Sequence, residues 1–207
     1  MKKLWDISPL VHPGAPIFPG DEPYRLQWTA RLSPQCPVNL SALTMSPHVG
    51  AHADAPLHYA NEAPDIAAVD LDTYLGPCRV IHAIGCGPLI RIEHVEHAAA
   101  GLPPRVLVRT CERADTVWKD EFTAYAPETV AWLAARGVRL IGLDTPSMDP
   151  ASGKSLDSHQ QLLRADLRVL ENLLLDEVPA GDYELLALPL QLAGACASPV
   201  RAVLREL

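Results

Sequence analysis

The stretch Ser46–Tyr59, SPHVGAHADAPLHY, gathers three of the chain's eight histidines, His48, His52 and His58, and one carboxylate, Asp54. All four lie at even offsets from one another. In extended backbone, residues two apart point to the same face, so a strand through this stretch sends all four side chains to one side. Pro47, Gly50 and Pro56 argue against a helix. Straight extension is excluded as well. Ten residues of strand span roughly 33 Å, whereas two cations sharing one site lie about 3.5–4 Å apart. If these residues converge the chain must curl, and Gly50 and Pro56 are the places for it. A lone buried histidine is usually a core residue with a hydrogen-bond partner. Three histidines and an aspartate on one face point instead to a metal site. Imidazole nitrogen and carboxylate oxygen are zinc ligands at about 2.0–2.2 Å. Imidazole also suits iron, nickel or copper, and carboxylate suits manganese.

The 207 residues predict one domain, residues 1–207, with a substantial core. The net charge of −8 argues against a nucleic-acid partner, which needs a basic stripe. No apolar run reaches the length of a membrane span. The start, MKKLWDISPL, meets charge and proline too soon for a signal peptide. Five cysteines, an odd number without a CxxC pair, fit reduced thiols and a cytoplasmic location better than a disulfide framework.

Outward from the histidines, Leu4–Asp21 reads as a short strand and a turn-rich loop. Phe18, between prolines in that loop, either walls a ligand pocket or pins the loop to the core. Tyr24–Met45 alternates loosely and predicts one or two antiparallel strands. Cys78, His82 and Cys86 would share a helical face, but Val80, Ile81 and Ile84 favour a strand there. Helices are expected over Ile92–Ala100 and Pro127–Arg136, and strands over Arg79–Ile84, Arg105–Thr110, Val138–Leu143, Tyr183–Leu192 and Pro199–Leu204. The polar run Cys111–Tyr125, with Trp118 and Phe122, reads as a lid-like loop. Strand–helix alternation implies crossover units on a sheet, hence an α/β domain with a mixed β-sheet and flanking helices.

His159 and Glu171 lie in a second stretch, Leu156–Leu175. Twelve helical residues rise about 18 Å, too far for both to serve one site. If both bind metal, the helix breaks. The expectation is a short helix near Ser158–Arg164 capped by Asp157 or Ser158, a turn at Ala165-Asp166 and then a strand. Taken alone, Glu171 reads as a solvated charge.

The run His48-Val-Gly50-Ala-His52-Ala-Asp54-Ala-Pro56-Leu-His58 resembles the HxGTHxDAPxH motif of the cyclase-like metal-dependent hydrolases, with Ala51 where that family often has Thr. WDISPLVHPGAPIFPGD, YLGPCRVI, PRVLVRT, LIGLDTPSMDP, LDSHQ, VLENLLLDEVPAGDYELLALPLQL and SPVRAVLR are similar to the bacterial kynurenine formamidase branch, nearly end to end. The resemblance implies a cyclase-like fold of the swivelling-domain type, a homodimer or larger assembly, and hydrolysis of N-formyl-L-kynurenine, a small aryl formamide. It implies two Zn2+ per subunit, with Mn2+ or another divalent metal as the alternative. His48, His52 and Asp54 would hold one ion, His159 the second, and Asp54 and Glu171 would reach both. His58 would be the acid/base, and Phe18 would stand where a substrate-contacting aromatic is found. The rivals are a related hydrolase of aryl or cyclic amides such as isatin, and a non-catalytic metal-binding protein. No GxSxG elbow supports a serine hydrolase.

Overall fold

The computed structural model describes residues 2–207. In chain order the strands are β1 (Leu4–Asp6), β2 (Arg25–Ala30), β3 (Leu40–Thr44), β4 (His52–Asp54), β5 (Leu75–His82), β6 (Leu89–Ile90), β7 (Arg105–Arg109), β8 (Ala124–Tyr125), β9 (Leu140–Leu143), β10 (Arg168–Glu171), β11 (Gly181–Leu186), β12 (Ala197–Pro199) and β13 (Val203–Glu206). The helices are α1 (Ile92–Val95), α2 (Pro127–Ala134) and α3 (Asp157–Ala165). Among the described residues, nine strands form one sheet in the order β1-β13-β11-β5-β7-β9-β10-β4-β12.

Its centre, β5-β7-β9-β10, is parallel, as expected when a crossover follows each strand. β7 and β9 are almost wholly buried, the mark of strands covered on both faces. Antiparallel strands flank this centre: β11, β13 and β1 on one side, β4 and β12 on the other. Alternate residues feed two cores. Val106, Val108, Ile141, Leu143 and Val169 pack with Val130 and Leu133 of α2 and Leu162 of α3. On the opposite face Leu107, Leu140 and Leu170 pack with Leu204 of β13 and Ala53 of β4. Strands distant in the sheet order thus share one core, so the sheet rolls around it.

The predicted strands and helices are found, with several boundaries shifted. The Tyr183–Leu192 segment is strand only as far as Leu186. Pro199–Leu204 divides between β12 and β13. Ile92–Ala100 is a short α-turn followed by a 3-10 turn. Tyr24–Met45 is the hairpin β2–β3, which stands apart from the main sheet.

Candidate metal centre

Convergence begins with the backbone. Gly50 has φ +71°, and a Cβ there would meet Val11 Cγ2 at 2.6 Å, so glycine is required by both conformation and space. The chain turns at Gly50, runs straight only through β4, and turns again in a 3-10 turn over Pro56–His58. His48 and His58 therefore fold back towards His52 and Asp54.

The second stretch breaks as expected. α3 ends at Asp166, whose φ is +52°, and β10 follows at once. The cap differs from the expectation of Asp157 or Ser158. Leu156 occupies the cap position in left-handed conformation with no side-chain bond. Asp149 takes over the task from a distance, accepting hydrogen bonds from the backbone N–H of Ser158 and of His159, both at 2.9 Å. β10 pairs antiparallel with β4 in a register that sets Glu171 opposite His52, and such cross-strand neighbours share a face.

The two carboxylates are divided symmetrically. Asp54 Oδ1 lies 3.1 Å from His48 Nδ1 and 3.4 Å from His52 Nε2. Its Oδ2 lies 3.3 Å from His159 Nε2 and 3.9 Å from His58 Nε2. Glu171 Oε2 lies 3.3 Å from His52 Nε2, and its Oε1 lies 3.5 Å from His159 Nε2. Two groups of donors result, and Asp54 and Glu171 turn one oxygen to each. Ligands at 2.0–2.1 Å from a tetrahedral ion stand about 3.3 Å apart, close to these separations.

The outer hydrogen bonds decide what the inner nitrogens offer. His52 Nδ1 donates to the carbonyl of Gly50 at 2.9 Å, and His159 Nδ1 donates to Asp149 Oδ2 at 2.6 Å. Each neutral ring then aims a bare Nε2 lone pair at carboxylate oxygens. His52 Nε2 and Asp54 Oδ1 are buried without a hydrogen-bond partner. Lone pairs facing lone pairs in a buried site repel, and a cation between them removes the conflict. The donor set fits a divalent metal ion.

Protons answer the same conflict when no metal does. Burial works against charge on His52, but its bond to Glu171 and the charge of Asp54 prevail and hold its pKa up at about 9. Burial opposes charge on His159 too, yet Asp149, Asp54 and Glu171 raise it well above the ordinary value. Asp54 is destabilised as an anion by burial, but His159 and His48 keep its carboxyl well below the usual range. His58 goes the other way. Burial outweighs the attraction of Asp54 and lowers its pKa below 6.5.

His48, His52, His58, His159 and Glu171 line a cavity of ≈ 420 Å³. Phe18 stands on its wall, edge-on to Trp118 with ring centroids 5.1 Å apart, so the loops around residues 18 and 118 meet there. The alternative for Phe18, a loop pinned to the core, is not what is seen: the side chain is 44% exposed. The other weighed cluster does not form. Cys78 is buried in the core and His82 donates to the carbonyl of Val178.

Three neighbours were absent from the sequence reading as site residues. Asp149 is the penultimate residue of DTPSMDP, whose paired acids and prolines signal only a turn. Trp118 is a bulky residue of a polar loop, with no local period to tie it to Phe18. Cys196, 148 positions from His48, places Sγ 3.4 Å from that ring's Nε2.

The chain belongs to the cyclase family, whose model, described as "Putative cyclase", matches residues 5–150. It is similar to the kynurenine formamidase of Bordetella petrii, 68% identical over 208 residues, with 100% of each chain covered. Among solved structures it is similar to a potential metal-dependent hydrolase with cyclase activity, at TM-score 0.87 and 25% identity over 100% of this chain and 99% of the other. Isatin hydrolase A from Ralstonia solanacearum shares the fold at TM-score 0.84 and 22% identity, covering 100% and 92%.

Proposed function

We propose that the chain is one hydrolase domain that cleaves N-formyl-L-kynurenine to L-kynurenine and formate. The observation that carries the chemistry is the symmetric division of Asp54 and Glu171 between two histidine groups. The substrate is supported by the full-length likeness to kynurenine formamidases. His48, His52 and Asp54 would hold one Zn2+, His159 the second, and Asp54 and Glu171 both. Bound there, such ions supply a water of lowered pKa and positive charge for the developing oxyanion.

The chain's own residues do the rest. His58 is assigned to proton transfer and not to ligation. Its Nε2 stands farthest from Asp54, at 3.9 Å, and its side chain is 33% exposed to the cavity. Kept neutral near pH 7, it can take a proton from the attacking water and deliver it to the anilide nitrogen, which is a poor leaving group without one. Phe18 and Trp118 offer flat apolar faces for the aryl ring. Asp149 holds the His159 tautomer. Asp149→Ala removes the acceptor that keeps the ring hydrogen on Nδ1 and Nε2 free. Metal affinity at the His159 side is expected to fall about 10–100-fold, read by metal titration; unchanged affinity contradicts the role.

The working unit is proposed to be a homodimer in the cytoplasm. Five free cysteines support the reducing compartment. The hairpin β2–β3 supports the dimer: Leu26, Trp28, Leu40 and Leu43 on it are 42–58% exposed, and a lone two-stranded ribbon is marginal in water. Among the described residues no helix is long and apolar enough to cross a membrane. The test is a panel of N-formyl-L-kynurenine, a simple aryl formamide and isatin offered to the zinc-loaded protein. Fastest release of formate and arylamine from the first is expected. Preferred opening of isatin, or no hydrolysis at all, overturns the reading.

A further inference from the structure

One soft nucleophile in the cavity has no part in this reaction. Cys196 precedes β12 and faces His48, whose two nitrogens therefore have different partners: Nδ1 looks at Asp54 and Nε2 at the thiol. The His58 ring lies 4.3 Å from the His48 ring, centroid to centroid. One nitrogen of each imidazole and Cys196 Sγ all lie within 4.8 Å of one another. A tetrahedral ion with nitrogen at 2.0–2.1 Å and sulfur at 2.3 Å sets the two about 3.6 Å apart, and His48 Nε2 and Sγ stand at 3.4 Å.

We propose that His48, His58 and Cys196 form a further cation site, of two nitrogens and one sulfur, that takes a thiophilic ion such as Cd2+ or excess Zn2+ and inhibits hydrolysis when filled. The site itself follows from these three side chains; the inhibition rests on the function proposed above. Thiolate sulfur selects soft ions, whereas Mg2+ and Mn2+ prefer oxygen. On binding, the thiol gives its proton to solvent as the sulfur–metal bond forms. Inhibition has two sources. The lone pair of His58 is engaged and no longer accepts a proton. His48, with Nδ1 serving the Asp54 side, carries its hydrogen on Nε2, so the incoming ion must displace that hydrogen to solvent as a proton, leaving an imidazolate, or turn the ring away from Asp54.

The experiment titrates the zinc-loaded full chain with cadmium chloride, following the ultraviolet thiolate-to-cadmium charge-transfer band and hydrolysis in parallel. A band that saturates with one equivalent while activity falls in step is expected. Cys196→Ala should abolish the band and raise the half-inhibiting cadmium concentration by at least about 10-fold. Cys196→Ser, which keeps the size but replaces the soft donor, should behave the same way. His58→Ala should weaken cadmium binding while a band remains. A full band in Cys196→Ala, inhibition unchanged by that substitution, or a saturated band with undiminished activity overturns the proposal. The band is read without substrate, so the two readings fail separately: no hydrolysis across the panel with an intact Cys196-dependent band supports the site and overturns the formamidase.

Discussion

Replacing His58 with alanine is expected to lower kcat by about 10²–10⁴-fold, the usual worth of a positioned acid/base, with metal content unchanged. The expectation follows from where the ring sits. His52 and His159 are each fixed by a second hydrogen bond that aims Nε2 inward, while His58 has the longest approach to Asp54 and the most solvent contact of the four site histidines. Because the proton is moved in the transition state and not in the ground-state complex, kcat and kcat/KM should fall together, with KM nearly unchanged. Metal analysis of the variant beside its kinetics is the check. The geometry also groups one nitrogen of His58 with Asp54 and His159. A variant that loses an ion would therefore move His58 from proton carrier to ligand.

Chelation is expected to abolish hydrolysis and to destabilise the protein at the same time. A ligand bound only by the folded chain at 1,000 times its dissociation constant contributes about 4 kcal/mol. Removal also changes how stability depends on pH. In the metal-free site His52 and His159 have raised pKa values. Their contribution is fully present below about 6.5, the ordinary histidine value, and is lost as pH rises through about 9 for His52. Asp54 and Glu171 have lowered pKa values, so their contribution is present above the ordinary carboxylate range and lost as pH falls below it. Metal-free protein should therefore lose stability on both the acid side and the alkaline side, and between pH 6.5 and 9 it should fall away from the loaded form. Denaturant melts of both forms across that window test it. Parallel curves, or full activity after complete metal removal, contradict the metal-centred mechanism.

The convergence was legible because it rests on local rules. Even spacing with Gly50 and Pro56 between the donors demanded extension and curl, and both are present around β4. The rise of a helix forbids His159 and Glu171 from serving one site while sharing one helix, and the chain does break at Asp166, although Glu171 alone reads as a solvated charge. The parallel centre followed from strand–helix alternation. What escaped notice depends on contacts far apart in sequence. Asp149 caps α3 across an intervening loop, so no capping residue stands where a local rule looks for it. The meeting of Phe18 with Trp118, and of Cys196 with His48, leaves no period in either segment. Boundaries shifted where pairing overrode propensity, as in Pro199–Leu204, which serves two strands on opposite sides of the sheet.

The position of β4 has a consequence for the life of the chain. It is held between β10 and β12, and Pro199 pairs with the same His52 that faces Glu171. During synthesis the first half of the donor set emerges long before residues 197–199 are made. Until they arrive the strand bearing His52 and Asp54 is open along one edge. Completion of the pairing on both edges of the strand that bears His52 and Asp54 is thus a late step of folding.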